Sequence, residues 1–147
     1  MDALSQLLDI EAIRQLKARY FYYVDSKSWD AWLDLFTPDA TFEWDNAVAT
    51  LGRDGETSQK YVGREGLAEI PKVVADARTV HMGHTPIIEI LSETEARAIW
   101  PMEDIVERAQ QDRRGWGHYH ETYRKIDGRW LIRSLHLRRQ RLVIASR

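Results

Sequence analysis

The sequence predicts an α+β fold in which N-terminal helices cover the concave face of a strongly curved antiparallel sheet, so that the chain forms a cone-shaped barrel. Helical periodicity, with apolar residues three and four positions apart, is confined to about the first half of the 147 residues. The second half alternates apolar and polar residues over long stretches, as strands do. Short turn sequences separate these stretches, which predicts hairpin pairing. At this length we expect a single domain, residues 1–147.

The first helix is predicted from about Asp2 or Ser5 to Val24, and one of its faces changes character along its length. The positions expected to be buried on this face are Ile10, Ile13, Leu16, Tyr20, Tyr23 and Val24. The face is aliphatic early and aromatic late. Because a core does not require phenol hydroxyls, and buried hydroxyls need hydrogen-bond partners, the late part predicts the wall of a pocket with Asp25 at its rim.

A second helix, a short strand and a loop are predicted next. Ser28 is placed to cap the second helix, which Pro38 ends. Residues 40–45 alternate as a short strand that places its two aromatic residues on one side. The periodicity is lost over residues 46–63, where three glycines stand among polar residues. We expect a loop there, and a lid over the pocket is one interpretation.

One more helix and four strands complete the predicted architecture. The helix covers residues 64–78, and Pro71 removes one of its hydrogen bonds, so that it kinks or divides there. The strands are predicted at residues 79–91, 95–110, 116–126 and 129–144. The Asp127-Gly128 pair between the last two strands is a strong signal for a two-residue hairpin.

The composition excludes several classes of partner and site. A net charge of −2, from 21 basic and 23 acidic residues, gives no field that would attract nucleic acid or an anionic membrane. There is no cysteine, which excludes disulfides and thiolate chemistry. With neither a secretory leader pattern nor an apolar stretch long enough to span a membrane, we expect a cytoplasmic protein. Six tryptophans and six tyrosines fit either a large aromatic core or an apolar pocket for a ring-bearing ligand.

Asp25 and His81 are the candidates for acid–base chemistry. His81 lies early in the first long strand, and His84 falls on the opposite face because side chains alternate. A helix that packs over this sheet can bring Asp25 to His81. A carboxylate on one imidazole nitrogen fixes the tautomer and makes the other nitrogen a better base, so the pair could remove a proton beside a carbonyl. A structural histidine and a capping or solvated aspartate are the alternatives.

Further candidates lie on the faces that the strands turn toward the pocket. Asp104, among apolar neighbours, is a candidate acid, and an outward or salt-bridged carboxylate is the alternative. Arg139 or Arg141 could hold an anionic or carbonyl group at the pocket mouth, unless both form a solvated basic edge. The residues expected to contact a substrate are Tyr23, Trp44, Trp100, Met102, Tyr119 and Arg141. We predict no metal site, because no helical metal-binding motif or pair of histidines on a pocket face occurs.

Five runs along the chain carry a family resemblance: residues 10–20, 25–30, 35–42, 79–81 and 123–130. They resemble the SnoaL-like domain of the nuclear-transport-factor-2-like superfamily, which implies the same cone-shaped fold. The nearest likeness is to scytalone dehydratase and bile-acid 7α-dehydratase enzymes. It implies that Asp25 and His81 are catalytic and that Tyr20 and Asp104 assist them. Such relatives are often trimers that need no metal or organic cofactor.

The sequence therefore favours a cofactor-free lyase of the dehydratase type. His81, oriented by Asp25, would take a proton from a hydrophobic cyclic or aromatic substrate, and Tyr20 or a protonated Asp104 would assist the leaving oxygen. An isomerase or a carbon–carbon lyase would use the same parts, and an epoxide hydrolase would use Asp104 with Asp25. A non-catalytic assembly module, like the small subunit of a ring-hydroxylating oxygenase, predicts instead that Asp25 and His81 lie apart or that the pocket is filled. The expected partners are a hydrophobic small molecule and further copies of the chain, as a trimer or alternatively a dimer.

Overall fold

The computed structural model describes residues 1–48 and 58–147. The helices within these ranges are α1 (Ala3–Asp25), α2 (Trp29–Leu33), α3 (Gly63–Leu67) and α4 (Ile70–Val73). The strands are β1 (Phe36–Val48), β2 (Ser58–Val62), β3 (Arg78–Gly83), β4 (Ile87–Ile90), β5 (Glu95–Glu107), β6 (Gln111–Ile126) and β7 (Arg129–Ser146). None of the helices in these two ranges combines the length and the apolar content that crossing a membrane requires.

The strands form one curved sheet in the order β2-β1-β7-β6-β5-β3, and β4 also pairs with β5. The pairings among the described strands are antiparallel, except that β1 and β7 run parallel. The helices precede the long strands in the chain, and α1 packs on the concave side of the sheet. The α+β class predicted from the sequence is therefore confirmed.

The core lies between α1 and alternate residues of the long strands. On β5 the buried positions are every second residue from Ala96 to Val106, and on β6 every second residue from Gly115 to Tyr123. This alternation is what a sheet with one covered face requires, and it is the pattern predicted for these strands. It also decides which polar side chains of β5 and β6 point inward.

Local signals set the ends of two elements. The Oδ1 atom of Asp2 accepts a hydrogen bond of 2.7 Å from the backbone N–H of Ser5, which caps α1. Between β6 and β7, Asp127 and Gly128 have φ angles of +50° and +77°, as a type I′ turn requires. Ser28 precedes α2 at the predicted position but makes no side-chain capping hydrogen bond.

The predicted boundary between the second helix and the first strand is wrong. The helix ends at Leu33 rather than at Pro38, and β1 already begins at Phe36. Pro38 has no N–H to donate to a neighbouring strand. β1 accommodates it because the pairing of β1 with β7 is interrupted between Phe36 and Thr41.

Two other predicted elements are each divided in two. Residues 64–78 form the short helices α3 and α4, with Pro71 in the first turn of α4. The strand predicted at residues 79–91 is divided into β3 and β4, which pair with different parts of β5. The loop predicted at residues 46–63 contains β2, which pairs with β1. The interpretation of this loop as a lid falls on residues 49–57, which lie outside the described residues.

Candidate active site

A cavity of about 120 Å³ lies between the end of α1 and the concave face of the sheet. Apolar side chains form most of its lining, and Trp32 and Trp44 are among them. The polar lining residues are Tyr20, His81, Asp104, Arg108, Arg113, Tyr119 and Arg139. An apolar cavity with a few convergent polar groups is the usual form of a small-molecule site.

Asp25 and His81 are in direct contact at this cavity. The Oδ1 atom of Asp25 lies 2.7 Å from Nδ1 of His81, and the His81 side chain is 12% exposed. Since an ionised carboxylate only accepts hydrogen bonds, we assign the proton of the neutral imidazole to Nδ1. Nε2 is then the acceptor nitrogen, and within residues 1–48 and 58–147 no hydrogen bond to it is formed.

Two further hydrogen bonds seat Asp25 on β3. The hydroxyl of Thr79 donates to Oδ1 at 2.9 Å, and the backbone N–H of His81 donates to Oδ2 at 2.8 Å. The last residue of α1 is therefore tied both to the backbone and to the side chain of the histidine. One hydrogen bond orients the imidazole, and the other two hold the carboxylate that makes it.

The approach of α1 to β3 depends on Gly83. A Cβ atom at this position would lie 2.5 Å from the ring of Phe21, so only glycine allows the helix to pack this closely. Just after the helix, Lys27 adopts a left-handed conformation, with φ of +56°. Its Nζ atom donates to the carbonyl oxygens of Val74, Ala75 and Ala77. These bonds hold the end of α1 against the segment that leads into β3.

Asp104 and Arg139 form a buried ion pair in the cavity wall. The two terminal nitrogens of Arg139 donate to the two oxygens of Asp104 at 2.7 and 2.9 Å. The strand between them is β6, where a Cβ atom on Gly115 would overlap the guanidinium and would lie 2.6 Å from Oδ1 of Asp104. Burial alone would lower the pKa of Arg139, but the hydrogen bonds to Asp104 raise it above its usual value. This bidentate geometry fits an ionised carboxylate, so Asp104 is the salt-bridged alternative and not a protonated acid.

A second buried ion pair, which sequence reasoning missed, packs against Tyr20 and Tyr119. Lys17 of α1 contacts Glu121 of β6, and both side chains are almost completely buried. The Nζ atom of Lys17 lies 3.8 and 3.7 Å from the ring centres of Tyr20 and Tyr119. Burial lowers the pKa of Lys17 to about 8, and the charge of Glu121 opposes this shift. Helical spacing indicates that Lys17 is buried, because it lies four residues after the buried Ile13 on the same helix face.

Burial keeps the two tyrosine hydroxyls of the cavity protonated. It raises the pKa of Tyr20 well above its usual value, and the charge of Glu121 acts in the same direction. The pKa of Tyr119 is also raised, first by burial and then by Tyr20. A neutral phenol can donate a hydrogen bond, so these hydroxyls are suited to stabilise negative charge on a bound molecule.

The residues predicted to contact a substrate are only partly brought together. Trp44 and Tyr119 line the cavity. Tyr23 instead lines a separate groove, because it lies at the edge of the buried face of α1. Trp100 and Met102 point inward as predicted but are buried in the core between α1 and the sheet, and neither lines the cavity.

Arg141 lies outside the cavity because a β-bulge reverses the alternation of β7. Gly117 pairs with Arg139 and Trp116 pairs with Arg141, which leaves Gln140 without a partner on β6. Arg141 is exposed, and its guanidinium packs over the ring of Trp116 at 5.1 Å. Arg139, the alternative considered with it, is therefore the arginine that enters the cavity from this strand.

Arg108 and Arg113 also line the cavity and were not among the predicted site residues. The third long strand was expected to begin at Trp116, whereas β6 begins at Gln111. The alternation of β6 therefore extends to Arg113 and turns it inward, together with Gly115. Within the described ranges, no cluster of three or more histidine, aspartate or glutamate side chains could hold a metal ion.

Comparison with known families agrees with this architecture. A family model described as the SnoaL-like domain matches residues 5–136. The chain belongs to the SnoaL-like domain family. This SnoaL-like protein is 25% identical over 132 residues to a protein named as a probable cyclase from Gibberella zeae. That match covers 86% of this chain and 88% of the cyclase.

Solved structures of the same fold include two that are named for elimination reactions. A provisionally named scytalone dehydratase from Novosphingobium aromaticivorans matches with a TM-score of 0.83 at 20% identity, over 97% of this chain and 91% of its own. A hexachlorocyclohexane dehydrochlorinase from Novosphingobium barchaimii matches with a TM-score of 0.76 at 21% identity, over 98% and 94%. At 20% and 21% identity, these matches show that the chain shares the fold of the two structures and nothing further.

Proposed function

We propose that this SnoaL-like protein is a cofactor-independent lyase that eliminates water or another small leaving group from a hydrophobic cyclic or aromatic substrate. The observation that carries the proposal is the 2.7 Å contact between Asp25 and His81 at the wall of an apolar cavity. A carboxylate orients this imidazole, and no described group donates a hydrogen bond to its second nitrogen, which is the arrangement that a general base requires.

In the proposed reaction, Nε2 of His81 takes a proton from a carbon next to an activating group. The electron pair of the broken C–H bond forms a carbon–carbon double bond, and the leaving group departs from the neighbouring carbon with its own electron pair. Asp25 holds the tautomer that leaves Nε2 free and stabilises the imidazolium that forms. A positioned base of this kind contributes about 10²–10⁴ in rate.

Tyr20 and Arg139 are suited to stabilise the negative charge that develops during this step. The neutral phenol of Tyr20 can donate a hydrogen bond to an enolate oxygen or to the leaving oxygen. Arg139 contributes a positive charge that its two hydrogen bonds to Asp104 hold in place. Asp104 therefore acts in this proposal as a positioning residue for Arg139 and does not donate a proton.

The names of two proteins of the same fold support an elimination. Dehydratase and dehydrochlorinase both denote loss of a small H–X molecule from a substrate, which needs a base for the departing proton. An isomerase or a carbon–carbon lyase would need the same base, and the cyclase name of the Gibberella zeae relative is compatible with proton removal next to a carbonyl. The assembly-module alternative required a filled pocket or separated Asp25 and His81 side chains, and the contact between them favours catalysis.

A panel of hydrophobic cyclic alcohols and halides tests the proposal, each compound carrying its leaving group β to a carbonyl. Mass spectrometry follows the loss of water or hydrogen halide. We expect the wild-type protein to convert at least one compound, and His81→Ala and Asp25→Ala to lose nearly all turnover while circular dichroism shows an intact fold. His84→Ala is the matched control, because His84 is an exposed histidine three residues away. Turnover that survives both changes would reject the mechanism.

A further inference from the structure

Arg113 is a cation of the cavity that the proposed elimination does not use. It lies on the inward face of β6, two residues before Gly115, and is opposite Val106 of β5. Its Nη2 atom donates a long hydrogen bond of 3.3 Å to the backbone carbonyl of Asn46. Its Nε atom is buried, and no group in the part of the chain that the structure describes accepts a hydrogen bond from it. Arg113 is thus half-buried, and within the described residues its guanidinium has only this one long hydrogen bond.

Among the described residues, the charged groups that line the cavity with Arg113 do not neutralise its charge. Arg139 and Arg108 line the same cavity and carry the same charge, and Asp104 is the one carboxylate among the described lining residues. Both oxygens of Asp104 are already engaged by Arg139. Burial lowers the pKa of Arg113, and the charge of Arg139 acts in the same direction. A half-buried cation that has no counter-ion among the described residues is less favourable than a paired one, and a ligand of opposite charge would relieve this cost.

We propose that the substrate of this cavity is a small hydrophobic carboxylic acid and that Arg113 binds its carboxylate. The two terminal nitrogens of the planar guanidinium lie side by side, and such a pair of donors matches the two oxygens of a carboxylate. The apolar lining receives the ring of the substrate, and His81 faces the same cavity. This inference rests on the proposed function, since it names the substrate class of the same site.

Isothermal titration calorimetry of the full-length protein tests the inference without requiring turnover. The probes are benzoate and cyclohexanecarboxylate, each compared with its neutral amide of nearly the same shape, in low-salt buffer. We expect the wild-type protein to bind each acid at least about tenfold more tightly than the matching amide, as a charge-assisted bidentate pair predicts. Arg113→Gln should remove this preference by weakening the acids alone.

Two further variants define what the result means. Arg114→Gln removes a neighbouring exposed guanidinium that packs on Trp116, and it should keep the preference for acids. His81→Ala should also keep it, because binding of the acid does not need the base. Acid binding by a wild-type protein that eliminates nothing from the substrate panel would contradict the proposed function and leave this inference standing. Equal affinities for acid and amide in the wild-type protein, no binding of either acid, or an unchanged preference in Arg113→Gln would each overturn the inference. If Arg113→Gln fails to fold, the wild-type comparison still tests whether the cavity prefers a carboxylate to its amide.

Discussion

Asp25 has two roles that its hydrogen bonds make inseparable. Its carboxylate accepts from Thr79 and from the backbone of His81, which joins α1 to β3, and it accepts from Nδ1 of the imidazole, which orients the ring. Removing this carboxylate should therefore weaken the contact between α1 and β3 as well as release the imidazole. A test of the chemical role has to report on the ring itself.

The Asp25 carboxylate should determine which ring nitrogen of His81 carries the proton. In the wild-type protein the neutral ring should carry its proton on Nδ1, because the Asp25 carboxylate can only accept. In Asp25→Ala the proton should move to Nε2, the nitrogen that carries it preferentially in free histidine. Long-range ¹H–¹⁵N correlation spectra distinguish the two tautomers. An Nε2–H signal for His81 in the wild-type protein would contradict the assigned role of Asp25.

At the scale of single residues, the sequence predicts the Asp25–His81 pair but not all of the arginines that line the cavity. The end of a helix and the alternation of a strand are local features, so the positions of Asp25 and His81 can be derived from them. The choice between Arg139 and Arg141 cannot, because the bulge at Gln140 depends on how β7 pairs with β6. Arg113 was missed for a similar reason, since the true start of β6 is set by its partner strands.

At the scale of elements, the site depends on how closely α1 packs against β3. Gly83 permits this approach, because the ring of Phe21 occupies the space that a side chain would need. We expect Gly83→Ala to lower the free energy of unfolding by about 1–3 kcal/mol, the usual effect of overpacking a tight interface. It should also separate Asp25 from His81 and so reduce any turnover.

Gly66→Ala is the control for this change. Gly66 lies in α3, and its added Cβ would come no closer than 3.5 Å to another residue, an ordinary contact distance. Because alanine restricts the unfolded chain more than glycine does, this variant should be as stable as the wild type or slightly more stable. Urea unfolding of both variants makes the comparison. A Gly83→Ala protein as stable as Gly66→Ala would show that α1 does not need this close approach.

The buried ion pair of Lys17 and Glu121 should stabilise the contact between α1 and β6. Lys17→Met should lower the free energy of unfolding by about 3–5 kcal/mol, because it leaves a buried carboxylate without its partner. Adding Glu121→Gln should recover most of this loss, since neither charge is then buried. Urea unfolding of the single and double variants measures both effects. An equal loss in the single and double variants would mean that shape, and not charge, sets the cost.

Element boundaries show where local patterns stop being informative. The helical periodicity of α1 and the Asp127-Gly128 turn predict their elements correctly. The aromatic spacing after Trp29 continues past Leu33, yet Phe36 belongs to a strand because β1 pairs in parallel with β7, almost a hundred residues later. A contact at that sequence distance leaves no local signal.

For the whole molecule, three buried tyrosines couple stability to alkaline pH. Burial raises the pKa values of Tyr20, Tyr119 and Tyr123 well above the usual value of 10.0. Near that pH the unfolded chain releases these protons while the folded chain keeps them. The unfolded state then binds fewer protons, so the free energy of unfolding falls as the pH rises above about 10.

The absorbance of tyrosinate at 295 nm checks this expectation. Ionisation of three of the six tyrosines should coincide with alkaline unfolding followed by circular dichroism. Replacing Tyr119 by phenylalanine should remove one ionisation from the unfolding step. Complete ionisation of all six tyrosines in a protein that is still folded would contradict the assigned burial.

The order of helical and alternating patterns along the chain is sufficient to predict the fold class and the covered face of the sheet. It does not predict the polar interior of the site. Lys17 and Glu121 are 104 residues apart, and Asp104 and Arg139 are 35 residues apart. These pairs form because the curvature of the sheet brings β5, β6 and β7 around the end of α1, which is a property of the assembled molecule.

The most direct test of the Asp25–His81 pair as a general base is carbon-bound hydrogen exchange. 2-Tetralone in D₂O offers a hydrophobic bicyclic ketone with acidic C–H bonds, and proton NMR measures how fast the protein exchanges them for deuterium. We predict catalysed exchange by the wild-type protein and by His84→Ala, and a loss of about 10²-fold or more in His81→Ala. Exchange by His81→Ala at the wild-type rate would contradict the account.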